Sequence, residues 1–153
     1  MLILFFALLI GIVAGLRAMT APAAVSWAAY LAWIDPGGSW LSFLGHWITP
    51  WIFTVLAIGE LITDQLPSTP SRTVPLQFGT RLIMGALAGA ALGASGGMLV
   101  SGLIAGAVGA VIGTLGGRAA RGKLAASFGS DRPAAFIEDA VAIVGAFLIV
   151  AAA

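Results

Sequence analysis

Apolar positions come in runs too long for strands or for the half-polar helices of a water-soluble domain. Residues 2–17 form the first run, and Pro22 interrupts what would otherwise be one helix reaching Trp33, because proline removes a backbone donor and breaks or kinks a helix interior. Residues 20–34 are therefore expected as a re-entrant or interfacial half-helix, closed by the turn Asp35-Pro36-Gly37-Gly38. Further apolar runs cover residues 50–66, 78–94, 98–117 and 134–153. Between them lie a proline-stiffened loop at 67–77, a Ser95-Gly96-Gly97 turn and a basic segment at 118–132 that leads into Pro133. About 20 apolar residues carry a helix across a bilayer. The pattern predicts an all-α fold: a polytopic transmembrane helical bundle, one domain over 1–153, with about five spans and a broken or re-entrant helix after the first.

Composition sharpens this. The chain is 60% hydrophobic and only 8% charged, against about a quarter charged in soluble domains, and its mean hydropathy is +1.08. No cysteine is present, which excludes disulfides and thiolate chemistry, and the single histidine, His46, cannot build a histidine-rich metal centre. A net charge of +1 offers no basic face for nucleic acid. The bilayer is the expected partner. All five tryptophans and the only tyrosine fall between Trp27 and Trp51, as in an interfacial aromatic belt.

Six of the seven basic residues, Arg72, Arg81, Arg118, Arg121, Lys123 and Arg132, share one side of a five-span arrangement. Positive loops stay cytoplasmic. The expectation is a bacterial inner-membrane protein with the N-terminus inside, the tryptophan-rich segment outside and the C-terminus outside.

Glycines recur every four residues at Gly85, Gly89, Gly93 and Gly97, at Gly102 and Gly106, and at Gly109, Gly113 and Gly117; Gly11 and Gly15 mark the first run. Small residues at that spacing let two helix backbones approach closely where lipid supplies no hydrophobic contrast. The faces suit packing within the chain or a homo-oligomer. A weak match of Arg17-Ala18, Ser26 and Trp27 to Arg118-Ala119, Ser127 and Phe128 suggests an inverted repeat.

The charges inside apolar runs carry the chemistry, because an ionisable group in hydrocarbon is retained only with a partner, water or a task. Glu60 and Asp64 are four apart on one helical face. Late in one span, they share a depth with Glu138 and Asp139, early in the last, and with Arg81 at the start of the third; Arg72 and Arg118 border the same level. The pattern suggests a cytoplasmic-side cavity of carboxylates and guanidiniums, in which Glu60, Asp64 and Asp139 are candidate hard-cation ligands through oxygen alone. No cofactor is implied beyond such a divalent or monovalent cation. The alternative is that these charges snorkel or bridge helices. Arg17 stands apart at the break before Pro22, as a cap on exposed carbonyls or an anion ligand.

Residues 60–72, Glu-Leu-Ile-Thr-Asp-Gln-Leu-Pro-Ser-Thr-Pro-Ser-Arg, resemble the E-L-x-x-D-x-L-P-x-T-P-S-R stretch of a family of small bacterial membrane proteins defined only as a domain of unknown function. Gly15-Leu16-Arg17 with Thr20 and Pro22, and Glu138-Asp139-Ala140, look like its other recurrent features. The resemblance implies that Arg17, Glu60, Asp64, Pro70, Ser71, Arg72, Glu138 and Asp139 form one site, with no catalytic assignment. Three functions fit: a transporter or channel-like protein for a proton, cation or small charged solute; an assembly scaffold acting through its glycine faces; or an intramembrane enzyme acting on a lipid phosphate. A D-D-x-x-D run is missing, which counts against the enzyme.

Overall fold

The computed structural model describes residues 1–36, 39–63, 75–129 and 131–153. Six α-helices and one 3-10 turn make up the described chain: α1 (Leu2–Leu16), α2 (Thr20–Tyr30), the turn Trp40–Gly45, α3 (Thr49–Thr63), α4 (Pro75–Ser95), α5 (Leu99–Phe128) and α6 (Asp131–Ala152). No strand occurs among the described residues. Among the described residues, three stretches are long and apolar enough to cross a membrane: Pro75–Ser95, Leu99–Phe128 and Pro133–Ala152. The apolar helices α1 and α3 have 15 residues each, or about 22 Å at 1.5 Å per residue.

Glycines set the centre of the bundle. Gly85, Gly89 and Gly93 of α4 face Gly106 and Gly102 of α5 in antiparallel register, while Gly11 and Gly15 of α1 meet Gly106 and Ala110–Thr114 of α5 in parallel register. A methyl group added at Gly11, Gly89, Gly106 or Gly113 would overlap a backbone atom of the facing helix. The helices therefore touch main chain to main chain, and the four-residue glycine spacing is spent within the chain. The α4–α5 turn places Gly97 at a φ of +74°, where glycine carries no Cβ penalty. The Met98 amide then donates to the Gly93 carbonyl (2.7 Å) and the Gly97 amide to that of Ala94 (3.1 Å), the paired bonds of a Schellman stop. The end of α2 uses the same device with Ala32 in place of glycine, at a φ of +62°. There the Trp33 amide reaches the Ala28 carbonyl at 2.8 Å.

The path differs from expectation in one respect with wide consequences. After α1 stops, α2 runs back alongside α6, so that Trp33 packs edge-on against Phe147 with ring centroids 6.0 Å apart. The Asp35 amide then reaches the Ser95 hydroxyl at the α4–α5 turn (3.2 Å). Gly96 of that turn lies against Ile3. The N-terminus, the α4–α5 turn and the C-terminal end of α6 thus share one end of the bundle. The opposite end, the junction end, holds the close of α1, α3 and the membrane-length part of α5, with the starts of α2, α4 and α6. The N-terminus was expected beside the basic segments; it lies at the other end. The reason is that α2 carries the chain back along the bundle, where a re-entrant or interfacial half-helix was expected. The suggested inverted repeat fails for the same reason, since α1 and α5 run parallel. A further difference concerns α5, which continues past Gly117 through the basic segment to Phe128. Ala, Leu, Arg and Lys are good helix formers there, and Gly129 at a φ of +69° supplies the stop.

Helix α3 is attached differently from the rest. Pro50 is its one buried residue, and Ile52, Val55, Leu56, Ile58 and Ile62 are exposed. It leans on α2 through Trp27, whose indole N–H donates to the Thr54 hydroxyl (2.8 Å) and whose ring packs edge-on against Trp51 at 5.1 Å.

Candidate functional site

The site is built around the three-residue break between α1 and α2. Arg17 closes α1 in an extended conformation (φ −142°, ψ 110°), which throws its side chain off the helix axis. That side chain is fully buried. A chain break at this depth leaves the last carbonyls of α1 and the first amides of α2 without helical partners. Buried inside the bundle, such groups must be satisfied by other parts of the protein or by water.

Charged side chains from other helices do this. Glu60 of α3 accepts hydrogen bonds from the Ala18 and Met19 amides, one on each carboxylate oxygen, both at 2.8 Å. A carboxylate at a helix start also complements the positive end of the helix dipole. Arg81 of α4, 3% exposed, mirrors it. Its Nη1 donates to the carbonyls of Gly15 and Leu16, both at 2.8 Å. A cation there complements the negative end of α1. Arg81 and Glu60 also approach each other, Nη2 to Oε1, at 3.8 Å.

On the other side of the break, Arg17 turns to α6. Its Nε donates to Asp139 Oδ1 at 2.5 Å, and its Nη2 forms an ion pair with the same oxygen. Glu138 lies 3.8 Å from Arg17 Nη1 and accepts from Arg121 Nη1 of α5 at 3.3 Å. Three arginines and three carboxylates thus form a chain from α3 through the break to α6 and α5, with formal charges that cancel. Burying charge costs several kcal/mol per ion, and this pairing, with the backbone bonds of Glu60 and Arg81, offsets that cost.

The residues expected to act together divide as follows. Arg17, Glu60, Arg81, Glu138 and Asp139 converge on the break. Arg17, expected to stand apart at the far side, is instead at the centre, because α1 ends level with the starts of α4 and α6. Arg118 lies exposed on α5, three residues before Arg121. Asp64, Ser71 and Arg72 lie outside the described residues. Of the candidate metal ligands, Glu60 and Asp139 are directed to opposite sides of the break, each onto its own arginine. Among the described residues no three of His, Asp or Glu are grouped to hold a metal ion.

Sequence reasoning missed Arg121 as a participant and missed the free amides of residues 18 and 19; it did anticipate exposed carbonyls at the break, and Arg17 Nη1 donates to that of Leu16 at 3.3 Å. The cue for Arg121 was its place in the Arg118–Lys123 segment, readable as helix rather than loop. Spacing gives no cue that pairs residues 17 and 139 across 122 positions; only the family resemblance set them in one site.

Among the described residues, two apolar pockets lie along α6. One, of about 340 Å³, lies between α2 and α6 and is lined by Thr20, Trp27, Trp33, Ile143 and Phe147 among others. The second, of about 280 Å³, lies between α5 and α6 with Arg121 and Glu138 in its wall. No protein-family model, curated protein or solved structure matches the chain.

Proposed function

We propose that this chain is a small multi-pass membrane protein that moves a proton, a cation or a small charged solute, with the α1–α2 break as its working centre. One observation supports the reading above the others. A broken helix lies within an apolar bundle, and its two open ends are held by ionisable side chains from other helices. Discontinuous helices whose ends face charged cargo are how transporters build sites inside a bilayer. Here the ends are occupied by the protein's own Glu60 and Arg81, so cargo acts as a competitor. A proton or cation on Glu60 loosens its hold on the Ala18 and Met19 amides and on Arg81. The same event at Asp139 loosens Arg17.

The basic residues Arg17, Arg81, Arg118, Arg121 and Lys123 all fall at or beyond the junction end. The positive-inside rule then puts that end in the cytoplasm and both termini outside. The likeness of residues 60–72 to a family of small bacterial membrane proteins supports the inner membrane as its place.

A second reading, an assembly scaffold, draws on the mutual satisfaction of the three arginines and three carboxylates, which suits locks as well as carriers. Flux decides between them. Protein reconstituted in liposomes holding a pH-sensitive dye should dissipate an imposed proton or cation gradient faster than empty liposomes. Asp139→Asn should cut that rate at least tenfold. Parent protein that matches empty liposomes under proton, sodium, potassium, magnesium and phosphate gradients would remove the transport reading and leave the scaffold.

A further inference from the structure

We infer that the groove between α5 and α6 at the junction end is a binding site for an anionic phospholipid, its phosphate held by Arg121 and one acyl chain laid in the groove. The inference rests on the membrane reading but not on transport. Gly116, Ala120 and Leu124 of α5 and Ile137 and Val141 of α6 line this groove, and Leu16 closes its inner side. Glycine and alanine on the α5 wall leave room that larger side chains would fill. Its volume of about 280 Å³ suits part of an extended hydrocarbon chain.

Charge selects the occupant. Helix α5 contains Arg118, Arg121 and Lys123 and not one acidic residue over Leu99–Phe128. At 30 residues it is about 45 Å long, against a hydrocarbon core of ~30 Å, so its basic turns emerge at the level of the headgroups. Arg121 sits in the groove wall with its side chain 18% exposed, oriented by Glu138 at 3.3 Å. A guanidinium so placed matches a phosphate diester geometrically and electrostatically. The exposed Arg118 and Lys123 add the diffuse attraction that basic segments exert on anionic lipid surfaces. A zwitterionic lipid would fill the groove equally well but gain less from the cations. Free phosphate would meet Arg121 but leave the groove empty.

The test uses the full chain in detergent micelles, melted with added dioleoyl phosphatidylglycerol, dioleoyl phosphatidylcholine or inorganic phosphate. Saturating phosphatidylglycerol should raise the midpoint by about 5 °C, the size expected of a ligand that binds only the folded state. Phosphatidylcholine should raise it far less and phosphate not at all. Gly116→Leu is the decisive variant, because a Cβ added there meets no atom within 4 Å, so the longer side chain can enter the groove without displacing a helix. It should melt like the parent without lipid and lose most of the phosphatidylglycerol shift. Arg121→Gln should lose the preference for phosphatidylglycerol over phosphatidylcholine. Equal shifts with both lipids would overturn the proposal by showing a nonspecific amphiphile groove. A phosphate shift equal to that of phosphatidylglycerol would show a free-anion site instead. A full shift retained in Gly116→Leu would show that the groove is not occupied.

Discussion

The α1–α4–α5 seam and the α2–α3 side of the molecule solve the same packing problem in opposite ways. In the seam, backbones touch through glycines, and attraction is spread over many small dispersion contacts that tolerate no added atom. On the other side, α3 is held by a few directed bonds: Trp27 to Thr54 near its start, and Glu60 to two amides and Arg81 near its end. A dispersed contact gives way only as a whole, whereas a directed one can be released by changing a single charge. The difference teaches where motion belongs. The seam is the frame, and α3 with the break is the part whose hold depends on charge.

The largest effects are expected at the seam. Gly106→Leu and Gly89→Leu should cost more than the ~3 kcal/mol at the top of ordinary overpacking, because the obstacle is backbone that cannot rotate away. Both should fail to yield folded protein, whereas Leu92→Ile should cost less than ~1.5 kcal/mol. Leucine variants that extract and melt like the parent would show the seam to be loose. Next in size is Arg17→Met. It strands the Asp139 carboxylate beside Glu138 and should destabilise by about 3–5 kcal/mol, while a double change with Asp139→Leu should recover most of the loss. If the double variant melts no better than the single one, the two residues are not coupled.

Glu60→Gln tests the directed side. An amide cannot accept at both ends, so one of the two 2.8 Å bonds is lost, at ~1–3 kcal/mol. The loss should be local. Hydrogen exchange should quicken in α3 and at residues 18–19, with α4 and α5 protected as before; exchange that rises evenly throughout would erase the contrast between frame and mobile part. The smallest effect belongs to Ala32, a non-glycine residue held at a positive φ. Ala32→Gly should raise stability by about 1 kcal/mol by relieving that conformation, and a lower melting point would refute the assignment.

Much of the frame was legible in the chain because it depends on local pattern. Four-residue glycine spacing, the Ser95-Gly96-Gly97 turn and Pro133 near the start of the last helix all act within a few residues of themselves. Glu60, Arg81, Glu138 and Asp139 could be grouped by depth, since depth follows from counting along spans. Arg17 could not. Its place depends on whether α2 returns or lies flat, and Pro22 is compatible with both, being tolerated in the first turn of a new helix. That single ambiguity also moved the N-terminus to the other end of the bundle. The extent of α5 was missed for another reason: a run of positive charge was read as loop, although its residues favour helix.

The unequal lengths of the helices bear on the membrane itself. Helix α1, about 22 Å long, and α2, about 16 Å, stand beside α5, about 45 Å. A bilayer meets a short apolar wall by thinning and a long one by tilting or by letting the excess protrude. Lipid around the α1–α2 hairpin should therefore dip toward the break, placing Arg17 deep among helices yet near the headgroups. The native chain has no cysteine, so Gly79→Cys, at a position with open space around it, gives a single thiol near that dip. Its reaction with a membrane-impermeant reagent should slow as the acyl chains of the reconstituting lipid are lengthened.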